Sequence, residues 1–258
     1  MHCIIKSSKL LASIKRINYL FCLLYKKSMK RVAIFGKSEE NSKHLKSLLS
    51  RFNFIIDETN PELVISYGGD GTFLMSERAF PGVPKVLIRD SNICNKCHNH
   101  PIDHVFEMIS KGDYKLINLI KLKGVVNNKK LLVCTNDFVI RNKLPTHALR
   151  FKLFINDKQI DGELIGDGLV ISTVFGSTGY YYSITKKSFS KGIGVAFNNI
   201  HKKIKHLVIK ERDEIKIEIT RGDAVLVADN NPEIIELCEN DVVQIKKTEQ
   251  IARLIELI

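Results

Sequence analysis

The first 28 residues contain no aspartate or glutamate. They carry Lys6, Lys9, Lys15, Arg16, Lys26 and Lys27, so half of the chain's net charge of +12 lies ahead of Met29. An acid-free, basic and apolar stretch of this kind has three readings: an organellar targeting peptide, a membrane-surface helix, or sequence upstream of a true start. Met29 is favoured as the functional beginning, because Lys30-Arg31-Val32-Ala33-Ile34-Phe35-Gly36 directly after it is a strong first-strand pattern. Also missing is an apolar run able to cross a bilayer, which takes about 20 residues. The nearest approach, residues 17–25, is short and broken by Asn18. No secretory signal accompanies the six cysteines, which places them as free thiols in a reducing compartment and the chain in the cytoplasm. There is no internal repeat and no low-complexity linker. The 258 residues are 44% hydrophobic, enough for a core in one large or two ordinary domains. The lysines outside the extension are scattered and read as solvated surface, with neither a nucleic-acid nor a membrane partner expected.

What is present centres on Gly68-Gly69-Asp70-Gly71-Thr72. Leu63-Val64-Ile65-Ser66-Tyr67 before it reads as a buried strand, and Phe73 to Ala79 after it as a helix. Three glycines in four residues let main-chain N–H groups approach phosphate oxygens, and Thr72 falls near a positive helix end. A carboxylate does not suit a pure anion cradle, so Asp70 reads as a base or a magnesium partner. The plain alternative is a glycine-rich turn capped by Asp and Thr.

The surrounding pattern alternates. After the first strand come a helix from Ser38, the segment Phe54-Ile55-Ile56, the Leu63 strand with its loop, a strand at Pro84 to Arg89, and a helix from His104 to Lys111 ending at Gly112. Alternation implies a small parallel-sheet α/β nucleotide domain over residues 29–118, with ligands at the carboxyl ends of its strands. From residue 119 to 258 the texture changes to short segments, at 119–126, 130–141, 148–155, 168–173, 214–220, 224–228 and 242–246. Turns such as Val126-Asn127-Asn128-Lys129 and Asn156-Asp157-Lys158 join them. The expectation is a mostly antiparallel β domain, a C-terminal tail able to return to the first domain, and an active site between the two.

About a hundred residues after the first motif, Asp167-Gly168-Leu169-Val170-Ile171-Ser172-Thr173 runs into Gly176-Ser177-Thr178-Gly179-Tyr180. A strand here delivers Asp167 and then a turn whose hydroxyls and N–H groups suit ribose or phosphate, with Tyr180 as an aromatic wall. A hairpin turn with a buried tyrosine is the alternative. Thr135-Asn136-Asp137 offers an amide that can read an adenine edge and a carboxylate that can accept from ribose hydroxyls.

The first motif resembles the GGDGT signature shared by NAD kinases, diacylglycerol and sphingosine kinases and, as GGDGS, phosphofructokinases. The second is similar to the DGLxxSTPTGSTAY region of NAD kinases, and the Asn136–Asp137 pair resembles that family's Asn-Glu pair with a side chain one methylene shorter. Lys111-Gly112-Asp113-Tyr114 and Glu239-Asn240-Asp241-Val242-Val243-Gln244-Ile245 extend the likeness over residues 30–250. The chain is therefore identified as a divergent member of the NAD kinase family. The resemblance implies phosphoryl transfer from ATP or polyphosphate to the 2′-hydroxyl of the adenosine ribose of NAD, with Mg2+ or another divalent cation. It implies Asp70 as the base or orienting group, and Gly69, Gly71, Thr72 and Phe73 along the phosphoryl donor. Asn136 and Asp137 would hold the adenosine half, and Asp167, Ser177, Thr178 and Tyr180 would complete the dinucleotide site. It further implies a homo-oligomer, dimer or tetramer. Departures are Val174-Phe175 for the usual Pro-Thr, Gly179 for Ala, Asp229-Asn230 for Asp-Gly, and Ile88 to Asn95 where a Gly-Ile-Asn segment is usual. A diacylglycerol-type lipid kinase and a non-catalytic NAD-binding regulator are the rival readings. Outside the resemblance, Cys94, Cys97, His98 and His100 form a compact group readable as a structural zinc knuckle or as exposed thiols on a loop.

Overall fold

The computed structural model describes residues 29–36, 39–89 and 101–258. Its first part runs β1 (Arg31–Gly36), α1 (Glu39–Arg51), β2 (Ile55–Ile56), β3 (Leu63–Gly68), α2 (Asp70–Ala79), β4 (Pro84–Arg89) and α3 (Ile102–Lys111). β2, β1, β3 and β4 lie side by side and parallel. Leu63, Val64, Ile65 and Ser66 are all buried, the mark of a strand covered on both faces. On one face Leu45, Leu48 and Leu49 of α1 and Val105, Phe106 and Ile109 of α3 pack on Val32, Leu63, Ile65 and Val86. On the other, Phe73 and Leu74 of α2 pack on Leu87.

The second part comprises β5 (Tyr114–Val126), β6 (Lys130–Cys134), β7 (Asp137–Asn142), β8 (Leu149–Ile155), β9 (Lys158–Gly166) and β10 (Gly168–Ser172). A single 3-10 turn (Phe175–Thr178) and α4 (Tyr180–Thr185) follow. Then come β11 (Ile193–Asn198), β12 (Leu207–Ile209), β13 (Ile215–Arg221), β14 (Ala224–Ala228), β15 (Ile235–Leu237) and β16 (Val242–Leu257). A six-stranded antiparallel sheet has the order β12-β11-β10-β7-β14-β15. It stacks on β5, β6, β8, β13 and β16, burying Leu122, Phe138, Phe151, Leu169, Ile217 and Val243 in one core. Hairpin turns at Asn127-Asn128 and Asn156-Asp157 have both central residues at positive φ, as the sequence suggested for tight two-residue connections.

The parallel α/β part and the antiparallel β part are thus present as expected, with three differences in the strands. Residues 130–141 form two strands in two sheets, because the chain crosses between layers at Thr135-Asn136. The strand expected at 242–246 runs to Leu257: its ladder on β5 shifts register between Lys247 and Ile251, then continues, while Arg253 and Leu254 pair in parallel with Pro84 and Lys85. That strand joins the two halves into one ten-stranded sheet. β9, β11, β12 and β15 lie outside the segments expected from the pattern. The Cys94–His100 group and residues 1–28 lie outside the described residues.

Candidate functional site

β3 ends at Gly68 with φ +154, and a Cβ there would stand 2.2 Å from the hydroxyl of Thr72. Only glycine lets the chain turn this closely onto the helix that follows. α2 begins at Asp70, three residues before the expected Phe73, so Asp70, Gly71 and Thr72 form its first turn. The N–H groups of Thr72 and Phe73 donate to the Gly69 carbonyl at 3.0 and 3.2 Å, and the helix dipole concentrates positive potential at this end. Asp70 is half-buried, while Thr72 is buried and its Oγ1 has no protein hydrogen-bond partner. Phe73 is fully buried; its ring lies 5.0 Å from that of Phe175, so its side chain belongs to the core under the loop.

The six-stranded sheet brings three corners to one of its ends. Ser172 at the end of β10 is paired with Asp137 at the start of β7, and the next residue, Phe138, with Ala228 at the end of β14. The segments Thr135–Asp137, Thr173–Gly176 and Asp229–Asn230 therefore leave the sheet together. They are tied tightly. Asp229 accepts N–H bonds from Thr135, Asn136 and Asp137 at 2.8, 2.7 and 3.1 Å and returns its own N–H to the Asp137 carbonyl at 2.9 Å. Burial pushes this carboxyl above its ordinary value, and the three amide donors oppose the rise. Thr173 donates its N–H to the Asn136 carbonyl at 2.8 Å and its hydroxyl to the Thr135 carbonyl at 2.6 Å. A Cβ on Gly176 would fall 2.4 Å from the Asn136 carbonyl oxygen, so this approach also requires glycine. The side-chain oxygen of Asn136 is buried and has no protein partner. A buried acceptor without a protein donor is open to one from a ligand.

The helix and the corners meet. Asn230 donates from Nδ2 to the Gly71 carbonyl at 2.8 Å and accepts from Arg78 Nη1 at 3.3 Å. A small cavity of about 150 Å³ lies behind this contact, lined by Leu74, Glu77, Lys121, Thr135 and Asp229 among others. Under it, Glu77 of α2 pairs with Lys85 of β4 and, at 2.9 Å, with Lys121 of β5.

Ser177, Thr178 and Tyr180 follow β10 through the 3-10 turn, where a hairpin had been the alternative. Ser177 is buried and donates to the Phe189 carbonyl at 3.2 Å, whereas Thr178 is exposed. α4 turns back over the sheet, seating Tyr181 on Val170 and Ala196, and the Tyr180 hydroxyl accepts from Asn198 Nδ2 at 3.3 Å. Asp167 is at the far end of β10, where it accepts from Asn199 Nδ2 at 3.1 Å. Five residues of strand, about 17 Å at ~3.3 Å per residue, separate it from the Asn136 corner. The predicted residues thus fall into one group around α2 and a second at the other end of a strand, with Tyr180 reaching from one toward the other.

The sequence profile of the ATP-NAD kinase C-terminal domain matches residues 135–257, which begin at the Asn136 corner and take in all three. This C-terminal half of the chain is similar to the NAD kinase family. Among the chain's relatives is the NAD kinase of Picrophilus torridus, 26% identical over 214 residues that cover 78% of this chain and 76% of the relative. The fold matches that of an NAD kinase from Archaeoglobus fulgidus in complex with ATP, with TM-score 0.77 at 17% identity over 88% of this chain and 94% of that one. Yeast NADH kinase complexed with NADH gives TM-score 0.80 at 14% identity over 90% and 84%.

Against the NAD kinase pattern, two departures acquire a physical account. Phe175 supplies the ring that packs on Phe73 and so couples the second motif to the first. Asn230 supplies the contacts to α2 that a glycine lacks. Sequence reading noted the Asp229-Asn230 pair only as a departure. An Asp-Asn directly after the apolar run Ala224-Val225-Leu226-Val227-Ala228 was the signal available for a third corner. Among the described residues no three His, Cys, Asp or Glu side chains gather as a metal cage. A magnesium ion needs no such cage, since it is commonly held by one or two carboxylates together with substrate phosphates. Asp70, at the mouth of the phosphate-favouring helix end, fits that role.

Proposed function

We infer that this protein is an NAD kinase that transfers the terminal phosphoryl group of ATP to the 2′-hydroxyl of the adenosine ribose of NAD, giving NADP. The observation that carries the reading is the joining of the α2 N-terminus to the Asn136–Asp137 corner through Asp229 and Asn230. A phosphate site and a nucleoside site are thereby held side by side. Asn136 offers its unpartnered oxygen to the exocyclic amine of adenine, and Asp137 accepts from ribose hydroxyls. Triphosphate oxygens bind the amides of Asp70 and Gly71 and the Thr72 hydroxyl, where the helix end offsets charge that spreads over the transferring group. Asp70 takes the proton from O2′ as O2′ bonds to the terminal phosphorus and the bond from that phosphorus to the leaving ADP oxygen breaks. A magnesium ion bound by Asp70 and the phosphates would neutralise charge on the leaving diphosphate. Tyr180 walls the groove over the six-stranded sheet, and Asp167 at its far end accepts from the second half of the dinucleotide.

The same reading places the protein in the cytoplasm as a dimer or tetramer; the free Cys134 and Cys238 suit a reducing compartment. No helix among the described residues is long and apolar enough to cross a membrane. The test is NADP formation by protein beginning at Met29, with magnesium, NAD and either ATP or polyphosphate. Asp70→Asn should melt at the wild-type temperature and lose about a hundredfold or more in turnover, within the usual range for a general base. Undiminished turnover in that variant removes the role given to Asp70. Saturable NAD binding without product from any donor would instead identify a non-catalytic regulator.

A further inference from the structure

We propose that Asn230 is a positioning residue: its amide latches the first turn of α2 to the Asp229 corner and so fixes where Asp70 stands relative to Asn136 and Asp137. Both ends of the amide are spent on α2. Nδ2 donates to the Gly71 carbonyl at 2.8 Å, one residue after Asp70, and Oδ1 accepts from Arg78 Nη1 at 3.3 Å. A carbonyl on one side and a guanidinium on the other determine the amide's orientation, because the reversed group would face acceptor to acceptor and donor to donor. Arg78 lies two helical turns beyond Gly71 on the same face, and helical side chains lean toward the N-terminus, which brings its guanidinium back to the latch.

On the other side, Asn230 belongs to a short and fully bonded turn. Asp229 is held at φ +51, the Asn231 N–H donates to the Ala228 carbonyl at 2.9 Å, and the Asp229 carboxylate grips the amides of residues 135 to 137. The path from the Gly71 carbonyl to the Asn136 amide therefore passes through two side chains on adjacent residues. Asn230 itself is exposed, so its amide contributes little to the core. Its effect is on geometry, and errors on the order of 1 Å between reacting groups cost about a hundredfold in rate.

The catalytic arm of this proposal rests on the kinase reading above; the structural arm does not. Asn230→Ala in the full chain is expected to lower kcat about tenfold while KM for NAD stays within about twofold, because Asp229 still holds the Asn136 loop. Asn230→Asp keeps the acceptor for Arg78 and sets a carboxylate against the Gly71 carbonyl, so it should not restore kcat. In hydrogen–deuterium exchange, amides of residues 69–79 should exchange about tenfold faster in Asn230→Ala and those of residues 137–142 at the wild-type rate. Unchanged exchange in α2 overturns the latch. Faster exchange with wild-type kcat overturns its positioning role, and a raised KM with wild-type kcat would make Asn230 a binding residue instead. If the wild-type protein makes no NADP, the kinase reading fails and the exchange measurement still decides whether the latch exists.

Discussion

Replacing Glu77 with alanine tests how the helix that carries Asp70 is anchored away from its catalytic end. Glu77 is 2% exposed and pairs with Lys85, 0% exposed, and Lys121, 7% exposed; it also accepts the Gly82 N–H at 2.9 Å. The alanine variant strands two buried ammonium groups. Removing one partner of a buried ion pair costs about 3–5 kcal/mol, and the orphaned Gly82 amide adds roughly 1 kcal/mol. Part of this is returned, because burial already holds Lys85 down to about 8 from an ordinary 10.5 and it can shed its proton. A net loss of about 4 kcal/mol is expected, which for a chain of this size corresponds to a fall of about 10 °C in Tm.

The pH dependence has a definite sign. A lysine whose folded pKa is depressed leaves the unfolded chain binding more protons between about 8 and 10.5, so its contribution to stability rises with pH across that window. Above it Lys85 is neutral in the wild type as well, and Glu77 has less to hold. The Tm deficit of Glu77→Ala should therefore narrow between pH 7 and pH 10. Joint replacement of Glu77 with Leu and of Lys85 and Lys121 with Met should recover most of the loss, since apolar residues avoid the desolvation of the triad. Scanning calorimetry on the three proteins is the assay. A fall below about 3 °C at pH 7, or a deficit that widens with pH, refutes the reasoning.

Two further outcomes follow from the corners. Gly176→Ala forces its Cβ against the Asn136 carbonyl, 2.4 Å away in the undisturbed backbone, and should weaken NAD binding by calorimetry about tenfold, or ~1.4 kcal/mol. Asp229→Ala leaves the amides of Thr135, Asn136 and Asp137 without their acceptor. At about 1–3 kcal/mol for each, less the relief of a buried charge, a net loss of roughly 3 kcal/mol is expected in urea unfolding at pH 7. Because burial raises the Asp229 pKa above 3.8, the unfolded chain releases this proton first. The group's contribution to wild-type stability falls as pH rises from 3.8 through the raised value, and that slope should be absent from the alanine variant.

Local pattern by itself determined the β3–α2 unit. An unbroken apolar strand, three glycines and a following helix are short-range signals, and their chemistry, a phosphate-facing turn with one carboxylate, follows from residue type alone. The same holds for the turns at Asn127-Asn128 and Asn156-Asp157, where two adjacent left-handed residues demand such side chains. The start of α2 was misplaced by three residues because Gly71 is a poor helix former that the helix nevertheless includes. The full run of β16 was hidden by polar Thr248-Glu249-Gln250, which the strand passes at its register shift. Only the tertiary structure decided what surrounds Asp70. Asn230 reaches Gly71 across 159 residues, and Glu77 reaches Lys121 across 44. Neither pair leaves a periodic trace, because a hydrogen bond or ion pair between distant segments depends on how sheets and helices stack, while hydrophobic period reports only which face of each segment is covered.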